Sequence, residues 1–283
     1  MAKEIFITKI SGERELFDEH KLRASLQKSG AKPEVCDRIV SLIIKDLYDG
    51  MLTKEIYGRA FEMLRREGPG FAARYNLKKA IFALGPTGFP FERYVAELLK
   101  ADGYGTQVGQ IIKGYCVSHE IDVVAQKGGE HFLIEAKYHH EQGLRTDVKV
   151  ALYVEARFED IRRRLELKED RELGHDFHQV WLVTNTKFTS EAIAYGECTG
   201  IRMIGWGYPE HNGLEAMIER LGLHPVTALT TISGEKKNLL FANGVVLCKD
   251  IAGRKDVLKG IGLNEHGISR VLNEAEIVCG VGP

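Results

Sequence analysis

Apolar and polar positions change period several times along the chain, and each change predicts an element. From Ile5 to Ile10 they alternate as in a strand, and Ser11-Gly12-Glu13-Arg14 then turns the chain into a second short strand. Asp18 is placed to cap a helix in which Leu22 and Leu26 are the buried pair, Phe17 staples onto Leu22, and Gly30 supplies the stop. Pro33 suits the first turn of a second helix, whose Val35, Ile39, Leu42, Ile43 and Leu47 form an apolar stripe. Thr53 is placed to cap a third helix through Ile56, Ala60 and Leu64, and a fourth is expected from Ala72 to Leu84, before Gly85-Pro86.

After Gly88 the order of elements is different. It reads as a helix over Phe91 to Ala101, strands near Gln107 to Ile112, His119 to Ala125 and His131 to Tyr138, and a long helix from about Asp147 to Leu165. There follow an apolar strand Val180 to Thr184, a helix beginning at Thr189, a strand Ile201 to Trp206 and a helix Leu214 to Leu221. Beyond Pro225 the chain reads as short helices broken at Gly244, Gly253, Gly260, Gly262 and Gly267. The expected fold class is a multidomain α+β and α/β protein. Residues 1–85 are a helical domain opened by a hairpin, 86–222 an α/β domain, and 223–283 a small helical module.

Composition narrows the function classes. With 39 Lys+Arg against 40 Asp+Glu, no chain-wide basic field holds nucleic acid, so any such contact has to be local. Cys36, Cys116, Cys198, Cys248 and Cys279 are scattered without a CxxC or Cys/His cluster, which argues against a zinc ribbon or a disulfide framework and for a reducing cytoplasm. The opening MAKEIFITKISGERE is too polar for a signal peptide and no window reads as a membrane span, so a cytoplasmic protein without membrane contact is expected.

The middle segment carries candidate chemistry. Asp122 lies in the strand HEIDVVA, and Glu135-Ala136-Lys137 ends the next strand, FLIEAK, with twelve residues between Asp122 and Glu135. Residues i and i+2 of a strand share a face, so Glu135 and Lys137 project together while Ala136 turns inward and leaves its carbonyl available. Carboxylate oxygens are hard ligands suited to Mg²⁺ or Mn²⁺, with Asp122, Glu135 and the Ala136 carbonyl as the ligand set; Lys137 would orient a water or stabilise developing charge. A bare Glu-x-Lys on a hairpin reads more readily as decoration of a solvated face, so the context has to carry the functional reading.

Asp-x12-Glu-Ala-Lys on adjacent strands, with a helix before and after, resembles the PD-(D/E)xK nuclease superfamily. Phe91-Glu92-Arg93-Tyr94-Val95-Ala96-Glu97-Leu98-Leu99 with Gly103-Tyr104, and Val183-Thr184-Asn185 with Phe188-Thr189-Ser190-Glu191-Ala192, resemble its Mrr-type restriction endonuclease branch, over roughly residues 87 to 222. The resemblance implies a metal-dependent endodeoxyribonuclease with DNA as partner and catalytic residues Asp122, Glu135 and Lys137, joined by Glu92 on the first helix. Where the family often places a Gln on the following helix, this chain has Asp147-Val148-Lys149. His119 and His139 flank the acidic positions and are placed to assist a metal or a phosphate, though a histidine beside strands also serves simply as packing.

At the other end, Ile7-Thr8-Lys9-Ile10-Ser11-Gly12, Phe17-Asp18-Glu19-His20-Lys21, Asp49-Gly50-Met51-Leu52-Thr53 and Ala72-Ala73-Arg74-Tyr75 resemble the ATP-cone of ribonucleotide reductases and their repressor. The resemblance implies ATP or dATP as a regulatory ligand at Lys9, Glu15, Lys21 and Thr53, and a nucleotide-dependent homo-oligomer, dimer or tetramer. The cone's usual Lys-Arg-Asp/Asn-Gly is Lys9-Ile10-Ser11-Gly12 here, with Arg14 nearby. Leu258-Lys259-Gly260-Ile261-Gly262 looks like the turn of a helix-hairpin-helix, whose glycine N–H groups approach a DNA phosphate. The leading expectation is a nucleotide-regulated, Mg²⁺-dependent DNA endonuclease. The alternative is a non-catalytic ATP/dATP-sensing DNA-binding regulator.

Overall fold

A computed structural model describes residues 4–85, 87–166 and 177–280. The hairpin forms as the alternation predicts, with β1 (Phe6–Thr8) antiparallel to β2 (Arg14–Leu16). Asp18 caps α1 (Glu19–Lys28), accepting from the N–H groups of His20 and Lys21, and Pro33 opens α2 (Pro33–Lys45). A short β3 (Met51–Leu52) pairs parallel to β1, which puts β1 at the centre of a three-stranded sheet. α3 (Thr53–Glu67), α4 (Pro69–Tyr75) and α5 (Leu77–Phe82) follow.

Three local expectations are corrected. Leu42 is 41% exposed and drops out of the α2 stripe, whose core contacts come from Cys36, Ile39, Val40 and Ile43. Thr53 begins α3 from inside: Leu52 occupies the cap position and no side chain bonds there. The expected single helix from Ala72 is two, because Asn76 leaves helical geometry and its side chain takes the Tyr57 hydroxyl at 2.9 Å.

The middle of the chain comprises α6 (Phe89–Ala101), β4 (Gly105–Lys113), β5 (Ser118–Lys127), β6 (Glu130–Lys137), β7 (Arg145–Thr146), α7 (Val148–Glu166), β8 (Phe177–Thr184), β9 (Lys187–Phe188), α8 (Ser190–Thr199), β10 (Arg202–Ile204) and α9 (Leu214–Leu221). Its five-stranded sheet runs β10-β8-β6-β5-β4. The β4-β5-β6 part is antiparallel, and β6, β8 and β10 are mutually parallel, as helical crossovers between them require. α6 packs on β4, β5 and β6, while α7 packs on β8 and β4 and lies against α8. The buried side chains under α7 include Ile112, Ile121, Leu133, Val154, Ile161 and Leu182.

The chain closes with 3₁₀ turns at Val226–Ala228 and Cys248–Gly253, and with α10 (Gly234–Ala242), α11 (Lys255–Gly260) and α12 (Glu265–Cys279). Gly267 is no break: Asn264 caps α12 by accepting the Gly267 N–H at 2.8 Å. By contacts the described residues form two compact units, one joining those up to Ile81 with those from Gly222 onward, the other spanning Phe82–Leu221. The first unit has two apolar centres. One is built on Leu26, Ile39, Ile43 and Leu64, the other on Ala73, Leu229, Ile251, Leu258 and Val271. Among the described residues no helix is long and apolar enough to cross a membrane.

Candidate active site

The backbone around Asp122 leaves the regular ladder. β4 pairs with β5 at Val108↔Val123 and again at Gln110↔Ile121, skipping Asp122, and Gly109 beside the gap has φ +65°, a value open to glycine. On the other side the β5–β6 ladder ends at Val123↔Ile134, one step short of Asp122 and Glu135. The Asp122 carboxylate fills the break by accepting the Ala136 N–H at 2.7 Å. The residue between Glu135 and Lys137 is thereby fastened to the first acid, with the Ala136 side chain only 5% exposed.

Glu135 and Lys137, two positions apart on β6, are both half-buried. Glu135 pairs with Arg157 of α7 at 2.5 Å, and the same guanidinium donates to the Glu120 carbonyl. Burial, then the Glu135 charge, push the Asp122 carboxyl up to about 7; the Ala136 hydrogen bond opposes this, and Glu92 adds to it. Glu92, in the first turn of α6, is also raised, by burial and then by Glu120 and Glu135. The four sequence-predicted residues Glu92, Asp122, Glu135 and Lys137 thus come to one end of the sheet.

Two members were missed in the sequence. Glu120 was visible as the partner of Asp122 at i−2. Arg157 had no local signal, lying 22 positions from Glu135 on a different element.

The acidic groups here are hard oxygen donors, and like charge adds to burial in raising Asp122 and Glu92, a set that favours a divalent cation. Among the described residues no three His, Cys, Asp or Glu side chains close into a cage. Asp122 and Glu135 offer two carboxylates, and that donor set fits a cation such as Mg²⁺, which keeps most of its water and takes one or two carboxylates. Asp122 and Glu135, with the Ala136 carbonyl, are the residues that would hold it.

The two histidines have separate duties. His119 Nε2 sits 2.7 Å from Asp160 of α7, which also accepts the N–H groups of Cys116 and Val117 and so latches the β4–β5 turn to the helix. His139 is clamped at its backbone: Asn185 accepts its N–H and donates to its carbonyl, each at 2.8 Å. Its Nε2 meets Thr146 Oγ1 at 2.9 Å, at the edge of a buried hydroxyl cluster with Thr184 and Thr186. Burial and then Lys137 lower its pKa, which favours the neutral imidazole. Lys149 is exposed in the first turn of α7.

In the other unit, Glu15 binds Lys9 at 2.9 Å and stands 4.0 Å from Lys21, so these three are together. Thr53 lies at the start of α3. The N-terminal amides of α1 are engaged by Asp18, which accepts the His20 N–H at 2.9 Å and the Lys21 N–H at 3.3 Å. Likewise the turn over Leu258 to Gly262 spends its amides internally: Gly262 N–H goes to the Lys259 carbonyl and Leu263 N–H to that of Leu258.

Residues 86–205 match the family model described as restriction endonuclease, the Mrr catalytic domain, and residues 224–279 match the model described as AF1548-like, C-terminal. An uncharacterized protein of Archaeoglobus fulgidus is 39% identical over 187 residues, which is 66% of this chain and 100% of the relative. The crystal structure of the protein of unknown function AF1548 superposes with a TM-score of 0.56 at 37% identity, covering 69% of this chain and 99% of that one.

Proposed function

We propose, from the premise that the chain belongs to the AF1548-like family and carries its Mrr-type restriction endonuclease domain, that it is a Mg²⁺-dependent DNA endonuclease. The observation that carries this reading is the joining of Asp122 to the Glu135-Ala136-Lys137 backbone at a break in the sheet. That is an arrangement a solvated hairpin face has no need of.

Asp122 and Glu135 would hold the cation, which would supply an activated water and neutralise charge on the phosphoryl oxygens. Lys137 lies on the Glu135 side of β6 and offers an ammonium to the attacking water or to the developing negative charge. Glu92 contributes negative charge from α6, and Asn185 holds His139 so that the chain leaving Lys137 keeps its direction. The test is incubation of the full chain with plasmid, linear, branched and single-stranded DNA, with Mg²⁺ or with EDTA. Cleavage confined to the Mg²⁺ arm supports the reading; metal-independent binding without cleavage would replace it with a DNA-binding regulator.

The same proposal assigns ATP or dATP to the N-terminal hairpin and first helix, supported by Glu15 drawing Lys9 and Lys21 to one place. A triphosphate binding there displaces Glu15 from the two lysines. It alters assembly only as far as its affinity differs between oligomeric states. Calorimetry with each nucleotide checks this, and heat from neither removes the assignment.

A further inference from the structure

Arg157 reaches the site from α7, and its surroundings fix it independently of Glu135. One terminal nitrogen donates to the Glu120 carbonyl on β5, and the guanidinium carbon lies 5.1 Å from the Tyr153 ring centre. Ile121, Leu133, Val154 and Phe158 wall the cleft around it, and the side chain is 12% exposed. The other terminal nitrogen takes Glu135 Oε2 at 2.5 Å, leaving Oε1 outside the pair. A carboxylate at a strand end, held only by its own rotamer, would sample several orientations; a charge-assisted bond to a fixed, buried guanidinium selects one.

We infer that Arg157 is the positioning residue of this site, committing one oxygen of Glu135 to the protein and presenting the other to a divalent cation. The inference rests on the nuclease reading and assigns a role to a residue outside the Asp-Glu-Lys set. Arg157 acts through Glu135. Its loss should therefore harm the alignment of the metal more than the presence of the metal, since removing a cation from beside Glu135 makes the site more negative.

The variants Arg157→Gln, Arg157→Lys and Glu135→Gln of the full chain separate these effects. Two readouts are needed: binding of Mn²⁺ alone, followed by the loss of its free-ion paramagnetic resonance signal, and Mg²⁺-dependent cleavage at saturating metal. For Arg157→Gln, Mn²⁺ affinity equal to or above wild type is expected together with cleavage reduced roughly 10- to 100-fold, the usual size of losing an outer-shell support. Arg157→Lys keeps the charge but not the two-pronged grip, so it should recover part of the cleavage. Glu135→Gln should lose Mn²⁺ affinity as well.

Arg157→Gln cleaving as fast as wild type would overturn the inference, as would a loss of Mn²⁺ affinity matching that of Glu135→Gln. Should Arg157→Gln fail to fold by circular dichroism, the lysine variant decides, with full wild-type or zero cleavage counting against it. If wild type itself cuts no DNA, the nuclease reading fails, whereas a cutting wild type and an equally active Arg157→Gln remove only the role of Arg157.

Discussion

Asp122 and Ala136 are joined by a 2.7 Å hydrogen bond from the Ala136 N–H to the Asp122 carboxylate. The bond ties the first acid of the site to the backbone between the second acid and the lysine. It also moderates a charge that the fold accommodates at some cost.

That cost predicts how stability depends on pH. Burial and Glu135 raise the Asp122 pKa from 3.8 to about 7 in the folded protein, with Glu92 adding to and Arg157 opposing the shift. A raised folded-state value means the contribution is fully present below 3.8 and is lost as the pH climbs through about 7. In EDTA, wild type should therefore lose stability between pH 5 and pH 8, and Asp122→Asn should flatten that loss and exceed wild type at pH 8, with a ceiling of roughly 4 kcal/mol. Melting curves at the two pH values check it, and parallel losses in both proteins would contradict it.

The Asp160 latch predicts the opposite pH sense. Burial would raise its pKa, but hydrogen bonds from His119, Cys116 and Val117 outweigh burial and hold it at about 2. Its contribution is present above 3.8 and is lost as the pH falls toward 2. Asp160→Asn should be less stable by about 1–3 kcal/mol at pH 7, with the gap narrowing at pH 3. Urea denaturation at the two pH values measures this.

In the C-terminal part, Glu274 is fully buried and accepts from the N–H and hydroxyl groups of both Thr230 and Thr231 at 2.5 to 2.9 Å. Glu274→Ala would orphan four donors at once. A loss of roughly 3 kcal/mol or more is expected, read as a lower urea midpoint. An unchanged midpoint would mean that water replaces the carboxylate.

Features set by local chemistry could be read from the sequence, whereas those set by remote partners could not. Asp18 sits where capping chemistry demands, and the bounds of α9 follow from apolar spacing alone. The nearness of Asp122 to Glu135 followed from the length of a hairpin. The pairing of Arg157 with Glu135, the Asp160 latch and the Asn185 clamp depend on contacts between elements distant in sequence, and no period or spacing encodes them. Leu42 failed for a related reason: its place on the helix wheel is apolar, but the structure puts no core against it.

The central claim is that Asp122, Glu135 and Lys137 form one metal-dependent phosphodiester-cleaving site. Its most direct test is the rate of plasmid cleavage by wild type, Asp122→Asn and Lys137→Met with Mg²⁺ and with EDTA. The account predicts cleavage by wild type in Mg²⁺ alone and a loss of roughly 100-fold or more in each variant, with Lys137→Met still binding Mn²⁺. Undiminished cleavage by both variants would contradict it.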